Sequence, residues 1–269
     1  MIRDIDLDHV AVATEVQAEA WPRYRGELGG SWLSGGDSPG FSAAQVKFAN
    51  GMKVEVLEPL RVEENDFLRR FLDQNGPGPH HLTFKVADIR SALATAEAAG
   101  FAPVGVDLSH ESWQEAFLHP KQALGVVVQL AQSGDEWESA PPAHLPQPGP
   151  AGPATLDHIA HVVADLDAGM SLFGGLLGGT PQAEGRLEGG RYVELGWQGP
   201  GRVRLVAPDG DGGKASWAAW LGGRAGRVHH LAFTVTDPSA VAGAEPAGDG
   251  TWVVSPEVNL GVRLVLRTA

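Results

Sequence analysis

The sequence predicts an α+β protein made of two tandem copies of one domain, each a sheet with helices packed on it. Three observations lead there. The strand-like "LDHVAVA" returns as "LDHIAHV", which places His9 and His158 158 − 9 = 149 residues apart. "HHLTFKV" returns as "HHLAFTV", and the second histidine of each pair, His81 and His230, gives 230 − 81 = 149 again. "VEVLEPL" set against "VRLVAPD" aligns Glu55 with Arg204 at the same offset, 204 − 55 = 149. One register held through three strands marks an internal repeat, which chance explains poorly.

The 269 residues suit about two domains at roughly 100 to 200 residues each. Between the copies runs "QSGDEWESAPPAHLPQPGPAGP", with prolines at 141, 142, 146, 148, 150 and 153. Proline cannot donate to a strand ladder and favours an extended, semi-rigid connection. The expected organisation is a first domain at 1–132, a linker at 133–153 and a second domain at 154–269.

Within the first copy a strand is expected at 6–13, then a helix over "VQAEAWPRYRGEL". The strands "SAAQVKFA" and "MKVEVLE" follow, joined by Asn50-Gly51, a strong short-range hairpin signal. A helix over "EENDFLRRFLDQ" leads to the strand "HHLTFKV". The next helix, "DIRSALATAEAAG", ends at Gly100, a residue suited to the position just past a helix end. "EAFLHP" and "GVVVQLA" are the last strands.

Alternation sorts the side chains of each strand onto two faces. Val10 and Val12 form an apolar face and leave His9 on the other. Val54 and Val56, expected beneath helices, leave Glu55 opposite. Leu82, Phe84 and Val86 leave His81, Thr83 and Lys85 opposite, and Val126, Val128 and Leu130 leave Gln129. Four strands thus turn one potential ligand each away from the helix-covered face. By the same rule His80 is structural, and His110, His144 and His161, which have no motif around them, are expected at the surface.

Composition excludes several classes. A formal charge of −13 lacks the basic footprint that phosphate contacts need, so no nucleic-acid partner is expected. There is no cysteine, hence neither disulfides nor thiolate chemistry. The opening "MIRDIDLDHV" has no basic and apolar leader pattern, and no apolar run reaches the ~18 residues of a membrane span. A cytoplasmic protein without a membrane partner is expected.

"LDHVAVA", "VEVLEPL", "GPHHLTFKV" and "EAFLHPKQALGVVVQLAQ" resemble, in order and spacing, the vicinal oxygen chelate superfamily of glyoxalases, bleomycin-resistance proteins and dioxygenases, and most closely its methylmalonyl-CoA epimerases. The resemblance covers residues 5–132 and, more weakly, 154–268. It implies paired βαβββ modules that curl into a cupped mixed sheet with a metal on the concave side. It also implies that His9, Glu55, His81 and Gln129 are the metal ligands, the residues that alternation had turned away from the core. Two imidazoles, a carboxylate and an amide oxygen suit one divalent ion, Ni, Co, Zn, Mn or Fe.

One departure from the epimerases bears on chemistry. Their two glutamate bases align with Gln45 and Gln129, and an amide cannot take up a proton at neutral pH. Glu55 is left as the candidate catalytic base, with Gln45 and Lys85 as candidate substrate contacts. The resemblance therefore implies a metal-dependent lyase or isomerase that enolises a small carbonyl or thioester substrate and stabilises an enediolate. Two other readings stay open: an extradiol-type dioxygenase, since two histidines and a carboxylate also make the non-haem iron triad, and a non-catalytic binding or resistance protein.

At the second set of positions stand His158, Arg204 and His230, with Val265 in the place of Gln129. Arginine stays protonated and valine has no donor atom, so the second site is expected to be degenerate. Because the fused copies imitate a dimer, a monomer or a homodimer is expected, with a small molecule as the partner.

Overall fold

The computed structural model describes residues 1–134, 136–209 and 217–269. The first copy contributes β1 (Ile5–Ala13), β2 (Ser31–Ser38), β3 (Gly40–Lys47), β4 (Lys53–Leu60), β5 (Gly78–Val86), β6 (Val104–His110), β7 (Trp113–Leu118) and β8 (Val127–Ser133). The second contributes β9 (Thr155–Val163), β10 (Thr180–Leu187), β11 (Gly190–Gly196), β12 (Arg202–Pro208), β13 (Gly226–Val235), β14 (Ala244–Pro246), β15 (Trp252–Val254) and β16 (Leu264–Thr268). They form two eight-stranded cupped sheets, ordered β2-β3-β4-β1-β5-β8-β7-β6 and β10-β11-β12-β9-β13-β16-β15-β14. The orders are identical once eight is added to each strand number. In each half-sheet the first strand lies parallel to the last, as β1 does to β4 and β5 to β8. The intervening strands form an antiparallel meander.

The helices are few. They include α1 (Phe67–Asn75) and α2 (Ile89–Ala98) in the first copy, and α3 (Leu166–Gly169) and α4 (Trp217–Leu221) in the second. The expected helix after β1 is a pair of tighter and wider turns at Gln17–Ala20 and Pro22–Glu27. Asp88 caps α2 by accepting from the Ser91 amide, which satisfies one of the orphan donors of a first turn.

Alternation holds for the core: Val10, Val12, Val54, Val56, Leu82 and Phe84 are fully buried. The expectation that the candidate ligands all turn away from the helix-covered face is corrected for the first half-sheet. Helix α1 packs on Ala11, Ala13 and Leu57, with Phe41, Phe67 and Phe71 around them. Leu57 shares its strand face with Glu55, so an apolar wall stands on the ligand side too.

By packing, the chain parts into two compact units, each taking pieces of both copies. One comprises Met1–Asp8, His81–Glu136 and His158–His229, the other His9–His80, Trp137–Asp157 and His230–Ala269. Within the first unit, the backbone at Gly125, in the left-handed region with φ +81°, meets Gly226 so closely that an added Cβ would lie 1.9 Å from the Gly226 carbonyl oxygen. Phe84 and Trp197 meet edge to face 5.2 Å apart. Within the second unit, Gly261 at φ +74° repeats the contact against the Pro77 carbonyl, where an added Cβ would lie 1.8 Å away. Phe48 and Phe233 meet edge to face there, 5.0 Å apart.

The proline-rich segment is anchored within the second unit. Ser139 N–H donates to the Leu33 carbonyl of edge strand β2, and Ser139 Oγ accepts from Gly35 N–H at 2.8 Å. Further along, Ala154 N–H donates to the Leu28 carbonyl at 2.9 Å. An edge strand left open is a pairing hazard, and this segment covers part of β2.

His161 corrects the surface expectation, for it is completely buried. Its Nε2 lies 2.9 Å from the Leu124 carbonyl oxygen, its ring is 5.6 Å from that of Phe173, and burial pushes its pKa down to about 4. A folded-state value below the unfolded one, about 6.5, means that the folded state binds fewer protons between those two pH values. Stability is therefore expected to fall as pH drops from about 6.5 and to stop falling, on this account, below about 4, with a total loss on the order of 3 kcal/mol. Urea titrations at pH 7 and pH 4 check this. His161→Gln, which can keep a donor on Leu124, should lose less between the two pH values than the unsubstituted protein.

Candidate metal centre

His9 stands in β1, Glu55 in the parallel neighbour β4 and His81 in β5, on the other side of β1. Among the described residues these three form the only group of potential ligands of its kind, with ligand atoms all within 4.8 Å of one another. His9 and His81 are buried and Glu55 is half-buried. His9 Nε2 and Glu55 Oε2 are 3.5 Å apart, longer than an N–H···O bond prefers. Two ligands each about 2.1 Å from one ion at the tetrahedral angle would stand about 3.4 Å apart. The donor set and its spacing fit a divalent first-row ion.

The other oxygen of Glu55 is held from β3. Gln45 lies directly opposite Glu55 in the β3–β4 ladder, and its Nε2 donates to Glu55 Oε1 at 3.0 Å. The carboxylate is thereby turned, with Oε1 toward Gln45 and Oε2 toward His9. His80 is buried against the rings of Phe67 and Phe71. Burial pushes its pKa down to about 4, and the negative charge of Glu55 acts in the opposite sense.

Gln129, on β8 and paired with Thr83 of β5, is buried. Its Oε1 accepts from Thr83 Oγ1 at 2.5 Å, and its Nε2 donates to Glu115 Oε2 at 2.7 Å. Glu115 also accepts from Trp113 Nε1 at 2.7 Å. Lys85 donates to Ser133 Oγ and lies over the Trp113 ring, 4.7 Å from its centre. Sequence reasoning missed Glu115. The signal was its spacing from Trp113 and Phe117, which puts all three on one face of β7, while Phe117 pairs with Gln129.

In the second copy Arg204 occupies the register of Glu55, and Glu194, at 45 + 149, occupies that of Gln45. Arg204 donates through Nε and Nη2 to Glu194 Oε2 at 2.9 and 2.6 Å, and its guanidinium lies 4.8 Å from the Tyr192 ring centre. His158 Nδ1 is 3.8 Å from the same Glu194 oxygen. His158 and His230 are both buried, but the carboxylate of this copy is engaged by a fixed cation. The repeat offset alone could have located Glu194.

Residues 8–117 match the sequence model of the Glyoxalase/Bleomycin resistance protein/Dioxygenase superfamily. No curated protein matches the chain. A hypothetical protein from Bacillus halodurans C-125 is 26% identical over 51% of this chain and 100% of its own, with a TM-score of 0.45. A variant of Streptomyces coelicolor methylmalonyl-CoA epimerase, in complex with 2-nitronate-propionyl-CoA, is 24% identical over 48% of this chain and 98% of its own, with a TM-score of 0.43. A variant of 4-hydroxymandelate synthase from Streptomyces coelicolor is 15% identical over 97% of this chain and 92% of its own, with a TM-score of 0.68. That last likeness is one of fold, and it extends through both copies.

Proposed function

We propose that the protein, whose residues 8–117 match the model of the Glyoxalase/Bleomycin resistance protein/Dioxygenase superfamily, is a metal-dependent lyase or isomerase acting on a small carbonyl or thioester substrate. The observation that carries this reading is the convergence of His9, Glu55 and His81 within 4.8 Å. In it, those three residues and Gln129 hold one divalent ion, which when bound supplies Lewis-acid stabilisation of charge developing on a carbonyl oxygen. Glu55 is the proton acceptor. Gln45 keeps hold of Oε1 at 3.0 Å, and Oε2, once it leaves the ion, would take the proton α to the carbonyl and return it. The apolar wall of Phe41, Phe67 and Phe71 limits water on that side, and a drier site strengthens the electrostatics that the reaction uses. Lys85 and Gln45 are the proposed substrate contacts.

Metal analysis of protein purified without chelator, joined to proton exchange, tests the reading. The protein should carry close to one divalent ion per chain. His81→Ala should abolish binding, while His230→Ala should leave it intact, because Arg204 and Glu194 neutralise one another in the second copy. Solvent deuterium should enter the α carbon of a turned-over substrate. The same two histidines and one carboxylate also match the set used by non-haem iron oxygenases. Oxygen uptake with a catechol, without α-proton exchange from any carbonyl tested, would replace the enolising reading with that one. A protein that binds no divalent ion at all would leave a sequestering role.

A further inference from the structure

The Glu115 carboxylate accepts directly from Gln129, and it lies outside the proposed set of ligands. We infer that Glu115 is a positioning residue that decides which atom of Gln129 the metal centre receives. This rests on the metal reading above.

A side-chain amide has two ends of nearly equal size and opposite chemistry. Its oxygen can ligate a cation, and its NH2 group, which only donates, cannot. Shape alone does not choose between them. Glu115 does, because an ionised carboxylate only accepts. Its Oε2 takes Gln129 Nε2 at 2.7 Å, which commits the NH2 end and turns Oε1 the other way, where it accepts from Thr83 Oγ1 at 2.5 Å. A carbonyl oxygen has two lone pairs, so the bond from Thr83 leaves one for an ion. Trp113 Nε1 donates to the same Glu115 oxygen at 2.7 Å, holding the carboxylate itself in place from two residues away on the same strand. Thr83 is fully buried and Gln129 nearly so, which leaves bulk water little room to substitute for a missing partner. The chain from Trp113 through Glu115 to Gln129 has the form of the outer hydrogen bonds that orient ligands at metal sites and whose removal typically weakens binding about 10- to 100-fold.

The second copy lacks this device. Val265 replaces Gln129, and its ladder partner is Val253, where the first copy pairs Gln129 with Phe117.

Cobalt(II) affinity by competition with a chelator, together with the visible spectrum of the cobalt-loaded protein, tests the inference. Glu115→Ala should bind about 10- to 100-fold more weakly with an altered spectrum. Glu115→Gln, whose own amide oxygen can accept from Gln129, should recover most of both. Gln129→Ala should weaken binding comparably, and Glu115→Ala combined with Gln129→Ala should be no weaker than Gln129→Ala alone, since Glu115 acts only through that amide. Glu115→Met, of similar length and unable to offer a carboxylate acceptor, replaces the alanine variant should that one fail to fold. Unchanged affinity and spectrum in Glu115→Ala or Glu115→Met, or additive losses in the double variant, overturn the inference and leave the metal reading standing. Absence of cobalt binding by the unsubstituted protein overturns both.

Discussion

Glu55→Gln is expected to keep the fold and part of the metal affinity while losing α-proton transfer by ~10² to 10⁴. The substitution is nearly isosteric, and its single amide oxygen can take the place of Oε2 beside His9, at the cost of the bond from Gln45. An amide has no proton affinity near neutral pH, however, and Glu55 is the only carboxylate among His9, Glu55 and His81. The measurement is deuterium incorporation at the α carbon by NMR, with metal content determined on the same sample. Exchange at the unsubstituted rate in a metal-loaded Glu55→Gln protein would remove Glu55 as the base and shift attention to Lys85, on the same strand face as His81.

Gly125→Ala should unfold the protein or abolish its soluble expression. The new Cβ would lie 1.9 Å from the Gly226 carbonyl oxygen and 2.8 Å from the carbonyl carbon, and neither is the yielding end of a flexible side chain. The residue also sits at φ +81°, a left-handed conformation that costs an L residue about 1–2 kcal/mol before any collision is counted. Together these reach the exceptional class of single-substitution effects, above ~4 kcal/mol. Gly100→Ala is the control. It has φ +86° with nothing within 4 Å of the added atom, so it should show the conformational cost alone. Thermal melts of the two variants separate the contributions, and a Gly125→Ala protein melting with the Gly100→Ala one would show that the close approach is not made in solution.

Much of the fold was legible because its strands are buried and duplicated. The offset of 149 fixes equivalent strands, and alternation assigns Val10, Val12, Val54 and Val56 to the core, where they are fully buried. Strands β2 and β6 were not legible. "SWLSGGDS" carries two glycines and little apolar alternation, and β6 is an edge strand exposed along most of its length, so neither burial nor period wrote a pattern into them. That His9, Glu55 and His81 oppose Val10, Val54 and Leu82 was readable because each stands in an inner strand whose neighbours declare its face, and their convergence within 4.8 Å was implied by the family resemblance. The strand face of Glu115 could have been read from its spacing to Trp113 and Phe117, but its role comes from a hydrogen bond between strands. His161 was misread despite a signal, for it shares a strand face with Ile159 and Val163, both fully buried.

The exchange of pieces between the two copies bears on the time course of folding. One compact unit needs His9–His80 together with His230–Ala269, segments 230 − 80 = 150 positions apart in sequence. During synthesis the first of these emerges well before its packing partner exists. Contacts so distant in sequence close slowly, and until they do Phe48 lacks the ring of Phe233 that it meets edge to face in the folded unit.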